Sequence, residues 1–212
     1  MIWNNIKEGV LKFWWDNRDR KKRVVYDGRP GENLEVQTFL NTSPKGLRFL
    51  SKIARNLRMF DKDGLDEDAT MFAVKDCANR RVPFYVKDIS QYDAWEYWQD
   101  PYETWKRRKA DCDDKSLLIK VLSYLAGIPD YRMRCSWVSV YNREGKYDGE
   151  HLNNLYLSRK KTGWIFIEGT YPGEWKGKYG PVRFSFNYEN AWANRNVKLT
   201  SDDLESLRKI RK

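Results

Sequence analysis

The sequence of 212 residues is poor in the residue types that most often build metal sites and disulfide frameworks. It contains one histidine, His151, and three cysteines, at positions 77, 112 and 135. A single histidine excludes a histidine-rich metal site. The cysteines show neither the C-x-x-C spacing of a zinc site nor the even number typical of a disulfide framework. We therefore expect free thiols, a reducing compartment and no required metal or other cofactor.

Long apolar runs are also missing. No stretch approaches the roughly 18 residues of a membrane-spanning helix. The N-terminus shows no charged segment followed by an apolar segment and a small-residue cleavage site, so we expect no signal peptide. A cytoplasmic location is the default expectation, and association with a virion is the alternative.

The charge is unbalanced, with 40 lysines and arginines against 30 aspartates and glutamates. Such an excess can favour polyanions or acidic surfaces, but no single basic block stands out, so a solvated surface is the preferred explanation. Aromatic residues make up 15% of the chain. They fall mostly at core-like positions rather than between arginines and lysines, which argues against nucleic-acid binding.

The chain divides into three predicted parts. Residues 1–42 form an amphipathic helix, with apolar positions from Ile2 to Phe13 at three- and four-residue steps, followed by a charged, turn-rich arm. Residues 43–190 form the main domain, and residues 191–212 a basic tail with a short helix. The arm gives the N-terminal helix reach, so we interpret it as a device for attachment to a protein assembly.

Within the main domain, the spacing at which apolar residues repeat changes from 3.6 residues, typical of helices, to 2 residues, typical of strands. Helices are predicted over 45–60, 68–79, the segment after Asp100, and 112–125. Strands are predicted over 131–141, 151–158 and 164–168, and a short edge strand around Pro83. Helices followed by an antiparallel sheet indicate an α+β fold.

The stretch "RKADCDDKSLL" puts one cysteine among three aspartates at the start of the last of these helices. The N-terminus of a helix stabilises a thiolate, so Cys112 is a candidate nucleophile. Asp111 is the expected N-cap, and Asp113 and Asp114 are ordinary first-turn acids. Because these acids oppose a thiolate, a neighbouring imidazolium would have to supply the compensating charge.

His151 begins one predicted strand and Glu168 ends the next. If the two strands are neighbours, Glu168 can orient His151, and His151 can act as base for Cys112. A lone histidine is more often a surface or packing residue, so both interpretations stay open from the residues alone.

The segment "YWQDPYETWKRRKADCDDKSLLIKVLSYLAGIP" resembles the nucleophile region of the transglutaminase-like superfamily, particularly the bacterial transglutaminase-like cysteine proteinases. "MFAVKDCANRRVPFYVKD" is similar to the preceding helix and strand, and "FSFNYENAW" to the trailing segment. The resemblance covers residues 45–190. It implies a papain-like fold, with Cys112, His151 and Glu168 as the catalytic residues, matched in order.

Two departures from the family pattern bear on the site. Glu168 stands where the family usually has aspartate, and Lys109-Ala110 replaces glycines before the cysteine. Some relatives bind calcium through acids beside the cysteine, which would implicate Asp113 and Asp114; the plain helix-cap interpretation is preferred. Candidate oxyanion donors are the Cys112 backbone N–H, Trp105 and Gln99, and the preceding basic run would steer a substrate.

Two functions from different classes follow. The first is a thiol-dependent acyl-transfer enzyme acting on a protein or peptide, by hydrolysis or by transfer to an amine. The second is a weakly active or inactive protein of the same fold that docks into a larger assembly, such as a phage particle.

Overall fold

The structure is a computed structural model that describes residues 40–92, 97–161, 163–170, 178–189 and 191–193. The predicted N-terminal helix and most of its arm, and the predicted tail beyond residue 193, lie outside the described residues.

Five helices precede the main sheet in the described part of the chain, and short strands lie between them. The helices are α1 (Pro44–Arg55), α2 (Glu67–Arg81), α3 (Asp88–Tyr92), α4 (Pro101–Arg107) and α5 (Cys112–Leu125). The short strands are β1 (Phe60–Asp61), β2 (Gly64–Leu65), β3 (Phe84–Tyr85) and β4 (Lys109–Ala110). β1 pairs with β2 in antiparallel fashion, and β3 pairs with β4 in parallel.

Side-chain caps define where three of these helices begin. Ser43, Asp66 and Asp100 each accept hydrogen bonds from backbone N–H groups in the first turn of α1, α2 and α4. Capping in this way satisfies donors that have no partner within the helix. The helix expected after Asp100 is confirmed, with Asp100 as its cap, and Asp66 is the residue that caps α2.

A five-stranded antiparallel sheet follows. Its strands are β5 (Met133–Tyr141), β6 (Tyr147–Leu157), β7 (Trp164–Ile167), β8 (Lys178–Phe186) and β9 (Ala191–Ala193). Their order in the sheet is β7-β6-β5-β8-β9, and all four neighbouring pairs are antiparallel. This confirms the α+β fold, with the cysteine helix packed on an antiparallel sheet.

Helix α5 is the centre of the domain. Its residues 113–123 are all buried between the sheet and the other helices. The apolar members of the surrounding core include Leu118, Leu122, Met133, Tyr156 and Phe186. Truncating a fully buried leucine such as Leu118 to alanine would cost about 2–5 kcal/mol of stability. The start of α5 is therefore held rigidly against the sheet.

Several boundaries differ from the predictions. Helix α1 ends at Arg55, five residues earlier than expected, and β6 begins four residues earlier than expected, at Tyr147. Strands β8 and β9 were not predicted, because β8 mixes glycine, proline and charged residues and lacks clean alternation. Residues 191–193, assigned to the tail, extend the sheet.

The N-terminal boundary also differs in detail. Leu40 is 1% exposed and belongs to the core, and the Thr42 hydroxyl donates to Asp100 Oδ1 at 2.8 Å. Both residues, which the sequence assigns to the arm, therefore pack with the domain. Among the described residues, none of the helices has the length and apolarity to cross a membrane.

Candidate active site

Cys112 is the first residue of α5, and its side chain is half-buried. Asp111 occupies the N-cap position, as expected, but its side chain makes no capping hydrogen bond. The expected capping role of its carboxylate is therefore wrong. The carboxylate is buried, and one of its oxygens lies within 4.8 Å of carboxylate oxygens of Asp88 and Asp114.

His151 lies within β6 and is 5% exposed. Its Nε2 atom lies 2.8 Å from Glu168 Oε2, just beyond the end of β7. β6 and β7 are paired neighbours, which confirms the condition under which the two residues were expected to meet. Since a carboxylate only accepts, Nε2 is the donor, and Nδ1 is the nitrogen that can take a proton from a thiol.

Glu168 is fixed at both carboxylate oxygens. Oε2 accepts from His151 and from the Tyr179 hydroxyl at 2.6 Å, and Oε1 accepts from the Thr170 backbone N–H. Burial alone would raise the pKa of Glu168, but the hydrogen bond and charge of His151, with the Tyr179 and Thr170 donors, hold it below its ordinary value. Glu168 is therefore an anion at neutral pH.

Sequence reasoning missed Tyr179. It belongs to β8, and its ring stacks on Phe166 at 4.6 Å and beside His151 at 6.2 Å between ring centroids. The irregular composition of β8 gave no strand prediction, so nothing placed this tyrosine near the histidine. Of the residues in this contact, the sequence placed Phe166 on a predicted strand but gave no position for Tyr179.

Two hydrogen bonds join the first turns of α5 to the backbone beside Glu168 and beside His151. Lys115 Nζ donates to the Gly169 carbonyl at 3.0 Å, directly beside Glu168. Ser116 Oγ donates to the Leu152 carbonyl at 2.8 Å, directly beside His151. The helix that begins at Cys112 is therefore tied to the backbone next to each of the other two residues.

The oxyanion candidates have structural contacts of their own. The Gln99 side chain donates to the Lys109 carbonyl at 3.2 Å, and its backbone N–H donates to Asp114 Oδ1 at 2.6 Å. Trp105 is 8% exposed, packs in the core and lies under the Arg81 guanidinium. An oxyanion role for Gln99, Trp105 or the Cys112 backbone N–H stays a prediction.

The basic run before the cysteine ends α4 and enters β4. Residues 106–109 are exposed, and Arg107 pairs with Glu103. Among the described non-glycine residues, Arg108 alone has a positive φ, of 63°. The replacement of family glycines by Lys109-Ala110 therefore introduces no left-handed backbone at those two positions.

A buried acidic cluster lies beside the cysteine. One ligand oxygen from each of Asp88, Asp111 and Asp114 lies within 4.8 Å of the others. Asp111 Oδ1 and Asp114 Oδ2 are buried and accept no hydrogen bond from the described residues. Burial, then the charges of Asp111 and Asp88, raises the pKa of Asp114 well above its ordinary value.

Asp113 lies in a second group, with Asp111 and Cys112. The Cys112 thiol approaches Asp113 Oδ1 at 3.9 Å. Burial and the charges of Asp111 and Asp114 raise the pKa of Asp113 well above its ordinary value. The structure thus groups Asp114 with Asp88 and Asp111, rather than with Asp113 as the calcium expectation had it. Oxygen ligands of this kind suit hard divalent cations, so these carboxylates could hold a metal.

Comparison with known proteins gives only distant similarities. No protein-family model matches the chain, and none of the curated proteins matches it. Among solved structures, calcium-bound LapG of Legionella pneumophila, a cysteine protease, is 14% identical with a TM-score of 0.47, covering 77% of this chain and 96% of LapG.

EGTA-treated LapG gives a TM-score of 0.46 at 14% identity, over 77% of this chain and 95% of LapG. A proposed cysteine protease from Cytophaga hutchinsonii is 19% identical with a TM-score of 0.41, over 70% of this chain and 45% of that protein.

Proposed function

We propose that the protein is a cysteine peptidase or amidase that works through a Cys112–His151–Glu168 triad. The observation that carries the proposal is the hydrogen bond between His151 Nε2 and Glu168 Oε2, which leaves Nδ1 to serve as base. The hydrogen bonds from Lys115 and Ser116 of α5 to the backbone beside Glu168 and His151 support the presence of Cys112 in the same site.

The reaction follows from these three groups. The Cys112 thiolate attacks the amide carbonyl carbon, forming a C–S bond and a tetrahedral oxyanion. The His151 imidazolium gives its proton to the leaving nitrogen, and the C–N bond breaks to leave a thioester. Water then attacks the thioester, His151 takes the proton of the water, and the acid leaves with the thiol regenerated.

Glu168 supplies orientation and charge rather than a bond. As a half-buried anion on Nε2, it holds the imidazole tautomer and stabilises the imidazolium that forms beside the thiolate. Its lowered pKa keeps it ionised across the neutral range. The first turn of α5 adds the positive end of the helix dipole at Cys112.

A calcium ion held by Asp88, Asp111 and Asp114 belongs to the same proposal. Their buried oxygens, two of which accept no hydrogen bond from the described residues, are the donor type that calcium prefers. When bound, the ion would neutralise carboxylates that otherwise oppose a thiolate at Cys112.

The test is a comparison of new peptide termini. The protein and its Cys112→Ala variant would each be incubated with a denatured proteome, with and without calcium. Mass spectrometry would then map new N-termini. We expect cleavage with the unaltered protein alone. A fluorescent primary amine in the same reaction detects amine transfer as incorporated label.

Equal termini for both proteins, without amine incorporation, would contradict the proposal and favour the docking function. Amine incorporation without cleavage would retain the acyl-enzyme chemistry but replace water by amine as the acceptor.

A further inference from the structure

We infer that Tyr179 is a positioning residue for the candidate active site: its hydroxyl fixes the Glu168 carboxylate in the orientation that accepts the His151 N–H. The inference rests on the proposed function, because it assigns Tyr179 a role within the same triad. Tyr179 itself touches the acid and the ring of the histidine, and we assign it no contact with substrate.

The contacts on the carboxylate carry the inference. Tyr179 Oη and His151 Nε2 both donate to Oε2, at 2.6 and 2.8 Å, while the Thr170 N–H donates to Oε1. Rotation of the carboxylate about its last bond would break the bonds on both oxygens at once. Of these three hydrogen bonds, only the one from His151 would remain on Oε2 without the hydroxyl.

The ring of Tyr179 is itself held in place. It stacks on Phe166 with an interplanar angle of 22° and lies nearly parallel to the His151 ring, at 19°. β8, which carries Tyr179, is separated from β7 in the sheet by β5 and β6. The tyrosine therefore links Glu168, at the end of an outer strand, to the opposite half of the sheet.

The length of the Glu168 side chain explains why a hydrogen bond from Tyr179 would be needed. Glutamate has one more rotatable bond than the aspartate usual in the resembling family, so its carboxylate has more orientations to lose on folding. A hydroxyl bond to an ionised carboxylate is stronger than a neutral hydrogen bond. Tyr179 thus offsets the freedom that the longer side chain introduces, in a place where burial alone would disfavour the anion.

The test uses the single histidine of the chain as a spectroscopic probe. In protein labelled with 15N-histidine, we expect the unaltered chain to show one His151 Nε2–H resonance protected from solvent exchange. Tyr179→Phe keeps the stacked ring but removes the donor. It should increase exchange at least tenfold and slow Cys112 alkylation about tenfold to a hundredfold, the range for one lost hydrogen bond to a charged group.

Tyr147→Phe is the matched control, because the Tyr147 hydroxyl donates to a different carboxylate, Glu150 Oε1, at 3.0 Å. It should change neither readout. Thermal unfolding of each variant, followed by circular dichroism, verifies that the fold is retained.

A double-mutant cycle separates an effect through Glu168 from an effect on the fold. In a Glu168→Ala background, Tyr179→Phe should slow alkylation less than twofold further. An equal loss in both backgrounds, or an unchanged Nε2–H resonance in Tyr179→Phe, would overturn the inference alone. If His151→Ala and Glu168→Ala themselves leave alkylation unchanged, the proposed function fails as well.

Discussion

His151 and Glu168 are 17 residues apart in the chain, and their side chains meet at 2.8 Å, His151 from β6 and Glu168 from just beyond the end of the neighbouring strand β7. The pairing of β6 with β7 brings them together, since Asn154 lies opposite Ile167 in the register. The contact gives the only histidine a fixed acceptor and a defined donor nitrogen. This relationship turns a lone histidine into a candidate base.

Cys112 should be the reactive thiol. Burial raises the pKa of Cys77, and raises that of Cys135 to about 12, whereas Cys112 is half-buried at a helix N-terminus. We expect iodoacetamide at neutral pH to label Cys112 at least tenfold faster than the other two. Mass mapping of labelled peptides would measure this, and labelling in denaturant provides the control in which all three react. Equal labelling rates of the three cysteines in the native protein would contradict the prediction that Cys112 is the reactive thiol.

Glu168→Gln should leave the fold intact, lower turnover by orders of magnitude and change the pH dependence of stability. The pKa of Glu168 is lowered in the folded protein from its ordinary 4.5, so the unfolded chain binds more protons in acid. Its contribution, about 1–3 kcal/mol, is then present above pH 4.5 and lost as the pH falls through the folded pKa.

Urea unfolding of the unaltered protein and of Glu168→Gln at pH 7 and pH 3 would measure this difference. Glu144→Gln, in an exposed turn, is the control and should show none. A constant difference at both pH values would mean that the Glu168 charge does not stabilise the fold.

Calcium should stabilise the protein, and more at pH 7 than at pH 4. The pKa values of Asp113 and Asp114 are raised, so the folded protein binds more protons, and without metal its stability falls as the pH rises from 3.8. A cation offsets the carboxylate charge that appears. At a calcium concentration a hundredfold above Kd, we expect a rise in Tm of about 5–10 °C.

Asp114→Asn should raise Tm without calcium and abolish the calcium response. Asp63→Asn changes an exposed acid between β1 and β2 and should do neither. An identical calcium response in Asp114→Asn and the unaltered protein would rule out the proposed ligand set.

Removal of the N-terminal segment should separate attachment from chemistry. Because Leu40 and Thr42 pack with the domain, the shortened chain should begin at residue 38 rather than near 43. We expect it to stay folded, with Cys112 equally reactive, and to lose its association with a partner or a second copy. Light scattering and alkylation kinetics would measure both. Unfolding, or a collapse of thiol reactivity, would instead show that the segment covers the core.

The parts of the site that the sequence predicted are those set by local signals. Helix α5 begins at Cys112 and ends at Leu125 as expected, because its apolar positions repeat with helical spacing and Gly127 follows. Strands β6 and β7 carry enough apolar alternation to make His151 and Glu168 neighbours. Local patterns therefore located His151 and Glu168, which meet only in the folded chain, and the helix that begins at Cys112.

The remaining features depend on contacts between distant segments. Nothing in its local sequence marks Asp88 as a member of the acidic cluster with Asp111, because tertiary packing brings them together. Tyr179 lies on a strand with glycine at position 180 and proline at position 181, which weakens any strand pattern. Asp111 was expected to cap α5 from its position alone. The local sequence does not show that its carboxylate is buried with those of Asp88 and Asp114.

The central claim, that His151 activates Cys112, is tested most directly by Cys112 alkylation at pH 6. An ordinary thiol with a pKa of about 8.5 is only ~0.3% thiolate at that pH. If the imidazolium stabilises the thiolate, the unaltered protein should react at least about a hundredfold faster than His151→Ala at pH 6, with the two rates converging above pH 9. Equal rates of the two proteins at pH 6 would contradict the account.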